Sequence, residues 1–343
     1  MNKHRFNYKW NLADGYPETN GLKVFGTFIC GGGSTMGYKL AGCEHLGGVE
    51  IDPPIADVYK ANHNPKYLYV EDIRDFANRT EFPEDLYDLD ILDGSPPCSS
   101  FSMAGNREKD WGKEKKFREG QTVQTLDDLF FDYIKLAKKL QPKVIIAENV
   151  KGLIQGNAKV YVHKIKAALE DAGYKVQLFL LNAASMGVPQ KRERIFFICQ
   201  RNDLSFPKLE LKFNEKAILF KTIDCGLDFE RRSVNGEYAK RIFNESNNKG
   251  GRATSSTSNN TIGHYYRTVQ TKVLPTIKAT QRHFYHSNSQ WLADTEIKLA
   301  GSYPLDYNFK ELDANYLIGM SVPPVMTAQI ATEIKNQWFK YKK

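Results

Sequence analysis

The chain has 343 residues, with 48 Lys and Arg against 40 Asp and Glu for a formal charge of +8, and 41% of its residues are hydrophobic. That length predicts one large domain or two smaller ones, and that balance excludes wholesale disorder. No apolar run approaches the ~20 residues needed to cross a bilayer, residues 1–20 have no apolar core of a secretory signal, and five scattered cysteines without a CxxC pair exclude a dense disulfide framework and give no zinc signal, so a reduced, cytoplasmic protein is expected.

In chain order, residues 23–29 are a short β-rich run ending in Cys30-Gly31-Gly32-Gly33; helical signals follow over 34–40 and a second strand fits 45–51. Glycines directly after a strand let backbone approach a ligand and let the next helix pack closely. Glu50 lies 19 residues past Gly31, where doubly wound folds hold ribose hydroxyls, and Glu71-Asp72 end a third strand. Alone, such a cluster is as readily a turn without a ligand. With Cys30 where a dinucleotide fingerprint starts on glycine, an adenosine cofactor lacking pyrophosphate, S-adenosylmethionine, suits the turn better than NAD.

Residues 86–92 alternate apolar and acidic and stop at Asp93-Gly94-Ser95-Pro96-Pro97, since proline cannot continue a ladder. Cys98 follows at a strand's C-terminal end, where open α/β sheets take ligands, and two prolines stiffen the approach to its thiol. An isolated cysteine is more often an inert thiol; the position argues for a nucleophile. Residues 126–140 have a helical period ended by Pro142. The run KVIIA over 143–147 reads as a buried strand carrying Glu148-Asn149-Val150, where burial would let Glu148 donate a proton, though a strand-end acid is more often solvated. A helix over 160–172 stops at Gly173, and strands fit 175–181 and 194–199. Gln190-Lys191-Arg192-Glu193-Arg194 leads into the last strand with Arg192 and Arg194 on one face: a clamp for a phosphate or carbonyl, or an ordinary charged entry. This rhythm predicts a mainly parallel sheet with helices on both faces.

After residue 202 the text turns irregular. Residues 221–290 hold 11 Lys and Arg against 5 Asp and Glu, six of the chain's eight surplus positive charges. Residues 244–263 are nearly free of large apolar side chains and read as a long loop. Val325, Met326, Ile330, Ile334 and Trp338 form one helical stripe after Pro323-Pro324, predicting a last helix that packs back on the first domain.

In this order, FICGGGSTMG, EID, DI, GSPPCSSFS, ENVKGL, GVPQKRERIFFI, LPTI and IGMSVPP, spanning about 23 to 326, resemble the DNA cytosine-5 methyltransferases of prokaryotes and phages. The resemblance implies an α/β fold: a Rossmann-like S-adenosylmethionine-dependent methyltransferase domain with a smaller target-recognition domain. The expected layout is an N-terminal extension over 1–22, the catalytic domain over 23–204, target recognition over 205–300, and a segment over 301–343 returning to the catalytic domain. The implied reaction moves a methyl group from S-adenosylmethionine, leaving S-adenosylhomocysteine, to C5 of a cytosine flipped from double-stranded DNA, through a bond between Cys98 and C6. A restriction–modification or phage-protection setting follows, with a cognate restriction endonuclease as candidate partner; no metal and no membrane are implied.

The resemblance also assigns roles. Cys98 is the nucleophile, Glu148 stabilises or protonates N3, and Arg192 and Arg194 fix the target nucleotide and support the carboxylate. Phe28, Cys30, Gly31 and Gly32 contact the cofactor; Glu50, with Ile51, takes its ribose and Asp72 and Ile73 its adenine. Pro96 and Leu129 line the pocket, and Ser321 and Val322 close it. Ser99, Ser102, Arg231, Arg232, Arg241, Arg252 and Arg282, with Lys240 and Lys249, are candidates for DNA contacts. Two departures stand out: Cys30 replaces the family's first glycine and Met320 the asparagine before Ser-Val. Because C5 and C6 are out of reach inside a stack, the base must leave it, and residues 99–120 have the length, glycines and charge of a covering loop. The alternatives are an RNA cytosine-5 methyltransferase on the same scaffold, a non-catalytic DNA-binding homologue suggested by Met320, and a nicotinamide-dependent dehydrogenase, against which Cys30 and the PPC and QKRER segments argue.

Overall fold

A computed structural model of the chain describes residues 4–97, 128–234, 237, 243, 252–254, 264–280 and 282–340. The chain divides into two compact units: one of Pro17–Leu181, Glu193–Leu211 and Ile330–Lys343, the other of Met1–Tyr16, Asn182–Arg192 and Lys212–Gln329. This division differs from the expected boundaries. The N-terminal segment and most of the stretch after 301 group with the basic region, and the chain leaves the sheet unit briefly at Asn182–Arg192.

The larger unit is built on a seven-stranded sheet: β1 (Lys23–Thr27), β2 (Glu44–Glu50), β3 (Tyr67–Val70), β4 (Ile91–Gly94), β5 (Val144–Val150), β6 (Tyr174–Asn182) and β8 (Glu193–Arg201). The short β7 (Gln190–Lys191) belongs to the other unit. The order is β3-β2-β1-β4-β5-β8-β6. Pairs among β1 to β5 are parallel, as the alternating text predicts, while β8 runs antiparallel to β5.

Helices α1 (Gly33–Leu40), α2 (Pro53–His63), α3 (Ile73–Asn78), the single turn α4 (Glu84–Tyr87), α5 (Leu129–Leu140) and α6 (Lys159–Asp171) fill the connections. Their ends follow local chemistry. Pro53 and Pro54 open α2, where missing N–H groups cost nothing, and Gln141 ends α5 in a left-handed turn just before Pro142. Phe25, Leu92, Ile145, Ala147, Ile195 and Phe197 share one core with α3, α5 and α6. Alternation then sends Val24, Ile91, Ile146 and Phe196, all buried, to the opposite face of the sheet.

In the second unit, β9 (Arg252–Thr254), β10 (His264–Arg267) and β12 (His283–Phe284) form a small sheet, and β11 (Leu274–Pro275) pairs with β7. Val234, Phe243 and Phe284 make a small core, and Trp291 stacks on Phe284 at 4.6 Å. Two helices follow, α7 (Asp294–Ala300) and α8 (Ala314–Met320). Residues 4–16 are anchored within this unit. Trp10 is buried, its indole N–H donates to the Ser302 carbonyl at 3.0 Å, and the N–H groups of Leu12 and Ala13 donate to the two Asp306 carboxylate oxygens at 2.7 and 2.9 Å.

The last helix, α9 (Pro324–Trp338), buries all five residues of the expected stripe. Its end packs within the larger unit: Trp338 stacks on Phe206 at 5.5 Å and donates to the Pro207 carbonyl at 2.8 Å. No helix among the described residues is long and apolar enough to cross a membrane.

Candidate active site

At the carboxyl end of β1 the chain makes a tight, left-handed descent into α1, with Phe28, Cys30 and Gly32 at φ of 54°, 48° and 74°. Gly32 is required twice: by that φ, and because a Cβ would lie 2.2 Å from His63 Nε2 at the end of α2. Cys30 takes the same conformation with a side chain, which costs on the order of 1 kcal/mol relative to glycine.

The turn is tied to β2 by Glu50, whose two oxygens accept the N–H groups of Cys30 at 2.9 Å and Asp52 at 3.0 Å. Burial pushes the Glu50 carboxyl up from its ordinary value, and those two N–H groups oppose the shift. A carboxylate offers about four acceptor sites, so Glu50 keeps capacity for a hydroxyl. Asp72 caps α3 through the Arg74 N–H at 2.8 Å and takes Arg74 Nε and Nη2 at 3.0 Å each. Ile73 and Leu129 are buried in the sheet core, Phe28 packs against it, and Ile51 is half-buried. This edge is acidic and lined by strand ends, the place where open α/β sheets take ligands. It suits a cationic, hydroxyl-bearing adenosine cofactor and disfavours a pyrophosphate, which fits S-adenosylmethionine.

A second group stands at the ends of β4 and β5. Glu148 and Arg194 are nearly buried, with side chains 10% and 15% exposed, and Arg194 Nε meets Glu148 Oε1 at 2.9 Å. The reversed β8 makes this pair: it sets Phe196 beside Glu148 and Arg194 beside Val150, so the first turn of text after Gln190 arrives at the end of β5. Burial draws Arg194 below its ordinary value and the Glu148 charge pulls it back up, yet a guanidinium stays charged at any neutral pH.

Asn149 is buried; its Nδ2 donates to the Pro96 carbonyl at 3.1 Å while its Oδ1 accepts the Val150 N–H at 2.8 Å. It therefore fastens the Glu-Asn-Val turn to the residue two before Cys98. Asp93 is buried at the end of β4 and accepts the Tyr38 hydroxyl at 2.9 Å. Reading the sequence singled out none of Asn149, Asp93 and Tyr38; the available signal was that Asn149 sits inside the ENVKGL motif and Asp93 immediately precedes GSPPCSSFS.

Arg192 is grouped apart from Arg194. It lies in the second unit, fully buried, donating from Nη1 to the Ile277 carbonyl at 3.1 Å and from Nη2 to the Gly319 carbonyl at 3.0 Å. Beside it Gln190 accepts the Ile277 N–H at 2.9 Å and donates to the Ala300 carbonyl at 3.1 Å. The QKR, LPTI and IGM segments are thus knit together. Ser321 and Val322 are buried in the same unit, Ser321 Oγ donating to the Leu317 carbonyl at 2.8 Å, and Met320 is 37% exposed.

The expected DNA contacts need one correction. Arg231 is an internal ion: its side chain is 0% exposed, Nη2 meets Glu296 Oε1 at 2.5 Å, and its guanidinium lies 3.6 Å from the Tyr285 ring centroid. A basic residue in a basic stretch reads alike whether it faces water or a buried carboxylate. Arg282 is held by Asp313 and lies 3.6 Å from Asp294. Arg232 is exposed, with Asp294 at 3.4 Å. Arg252 opens β9. Cys98, Ser99, Ser102, Lys240, Arg241, Lys249 and the expected covering loop over 99–120 lie outside the described residues.

The sequence profile of the family described as C-5 cytosine-specific DNA methylase matches residues 22–336. The type II methyltransferase M.NgoPII of Neisseria gonorrhoeae is 36% identical over 221 residues, 62% of this chain and 59% of that protein. M.FnuDI of Fusobacterium nucleatum is 35% identical over 56% of this chain and 51% of its own length, so the chain spans little more than half of these relatives. Among solved structures, a putative DNA modification methyltransferase encoded within an Escherichia coli prophage has a TM-score of 0.65 at 19% identity, covering 92% of this chain and 99% of that one. At that identity the likeness shows the fold.

Proposed function

This chain belongs to the C-5 cytosine-specific DNA methylase family, and from that membership we propose that it methylates C5 of cytosine in double-stranded DNA, using S-adenosylmethionine. The observation that carries the reading is the dry Glu148–Arg194 pair, fastened through Asn149 to the strand end that leads to Cys98.

In this reading the target base is rotated out of its stack, because neither C5 nor C6 can be reached within it. The Cys98 thiolate bonds to C6, and Glu148 gives a proton to N3, so the electron pair displaced from the C5–C6 bond makes C5 nucleophilic. Arg194 holds one Glu148 oxygen and orients the other. The bound cofactor would supply an electrophilic methyl group to C5, leaving as S-adenosylhomocysteine; loss of the C5 proton to solvent then breaks the Cys98–C6 bond and restores the C5–C6 double bond. Glu50 takes its ribose hydroxyls and Asp72 and Ile73 its adenine, with Phe28, Cys30, Gly31, Gly32, Ile51, Pro96 and Leu129 around it; Ser321 and Val322 complete the binding. Arg192 acts through backbone, fixing Gly319 two residues before Ser321. A restriction–modification or phage-protection role, with an endonuclease as partner, accords with the names of the relatives.

Bisulfite sequencing of DNA from cells expressing the protein tests the activity and reports its motif. Cys98→Ala is expected to abolish methylation while sparing DNA binding, and Glu148→Gln to slow it by about 10²–10⁴-fold. Methyl transfer confined to RNA would overturn the proposal.

A further inference from the structure

Asp72 stands where β3 gives way to α3, beside the strand end that carries Glu50: the Glu71 N–H donates to the Glu50 carbonyl at 3.1 Å. Of the two adjoining acids, Glu71 is turned to Arg79, whose Nη2 donates to its Oε1 at 2.6 Å. Asp72 is the N-cap of α3, with extended backbone at φ −68° and ψ 137°. Residues two apart within a helix do not face one another, but a capping side chain folds back over the first turn. That fold brings the Asp72 carboxylate against Arg74.

The contact is a fork. Arg74 donates to Asp72 Oδ1 from its backbone N–H at 2.8 Å and from Nε at 3.0 Å, and to Oδ2 from Nη2 at 3.0 Å. A carboxylate offers about four acceptor sites, two on each oxygen. Both sites on Oδ1 are therefore taken, and one is left on Oδ2. The Asp72 side chain is 19% exposed and that of Arg74 38%, so the pair can be reached from solvent. The charges of Asp132 on α5 and Asp75 on α3 add attraction for the guanidinium.

We propose that Arg74 is a positioning residue that sets cofactor specificity: its planar fork fixes the Asp72 carboxylate so that a single acceptor position remains, on Oδ2, for the exocyclic amine of the adenine. The inference rests on Asp72 being the adenine contact. An amine donates to that position. A carbonyl in the amine's place would set acceptor against acceptor and leave both unpaired beneath the ligand. A lysine could supply the charge of Arg74 but not its pair of coplanar N–H groups.

Isothermal titration calorimetry of the full chain reads this selectivity without turnover. The probes are S-adenosylhomocysteine and S-inosylhomocysteine, in which a carbonyl replaces the exocyclic amine. The wild type is expected to favour S-adenosylhomocysteine by about 10–100-fold. Arg74→Ala and Arg74→Lys are each expected to cut that ratio to about threefold by weakening S-adenosylhomocysteine, while S-inosylhomocysteine binds within about threefold of its wild-type affinity. Asp72→Asn keeps a capping oxygen and replaces the other with an N–H₂ donor, and is expected to bring the ratio to about one or below. If both Arg74 variants kept the wild-type ratio, or lost affinity for the two ligands equally, the role of Arg74 would be structural only and the proposal would be overturned. Retention in Arg74→Lys with loss in Arg74→Ala would assign the effect to charge and overturn the fork. A wild-type ratio near one, or an unchanged ratio in Asp72→Asn, would instead remove Asp72 from the adenine, and the reading beneath the proposal would fall.

Discussion

Arg231 and Arg232 are neighbours in the chain and opposites in surroundings. Arg231 neutralises Glu296, itself 0% exposed, and removing the guanidinium would strand that carboxylate in a dry site. Arg231→Ala is therefore expected to destabilise the fold by about 3–5 kcal/mol in urea unfolding. Arg232 is 68% exposed and its pairing with Asp294 is loose, so Arg232→Ala stays within about 0.5 kcal/mol and acts, if anywhere, on DNA affinity. Equal stability of the two variants would show that the buried network does not form. At this scale the motifs told which residues carry chemistry but not where each guanidinium goes. Arg192 and Arg194 alternate along one strand-like run, which suggests a shared face, yet the chain changes unit between Arg192 and Glu193 and each arginine finds its own partners.

Among the elements, β1, α1, β2, the end of β3, α5, β5 and α6 were legible by period and punctuation: two-residue alternation, a 3.6-residue stripe, a glycine or proline stop; α2, α3 and α4 were not, and the alternation over 86–92 straddles the end of α4 and the start of β4. The direction of β8 was not, since apolar alternation reads the same forwards and backwards. The N-terminal segment was equally silent, because its anchoring depends on partners nearly three hundred residues away. Asp306 receives two N–H groups from the single turn at Leu12–Asp14, and the Leu305 N–H donates back to the Trp10 carbonyl at 2.9 Å. Asp306→Ala is expected to cost about 1–3 kcal/mol and to raise hydrogen exchange and protease cutting within residues 4–16 while leaving the exchange of the larger sheet unchanged. Unaltered protection of that segment would show that the carboxylate does not hold it.

Across the whole molecule, buried neutral histidines set the response to acid. Burial lowers His63 to about 3 and His283 to about 4, and holds His45 well below its ordinary value. Unfolded, each would take a proton near pH 6.5. Their contribution is present above that pH and is lost as pH falls from about 6.5 towards 4, each adding about 1.4 kcal/mol per pH unit to the slope. Urea midpoints measured across that range are expected to fall steadily, and His63→Gln and His283→Gln each to flatten the curve in the unit that contains them; an unchanged slope would place those rings in water. The same scale marks the limit of the sequence. The positive surplus over 221–290 pointed to an anionic partner, yet composition does not distinguish Arg231, consumed internally, from Arg232, open to solvent.

The backward run of β8 has a practical consequence for anyone wishing to transplant the Glu148–Arg194 pair. A forward strand in that slot would bring its last residues, not its second, to the edge where β5 ends, and an arginine near its start would land at the floor of the sheet, about 20 Å off. A borrowed scaffold of uniformly forward strands could copy both side chains and still never let them meet; the graft must import the reversed strand along with them.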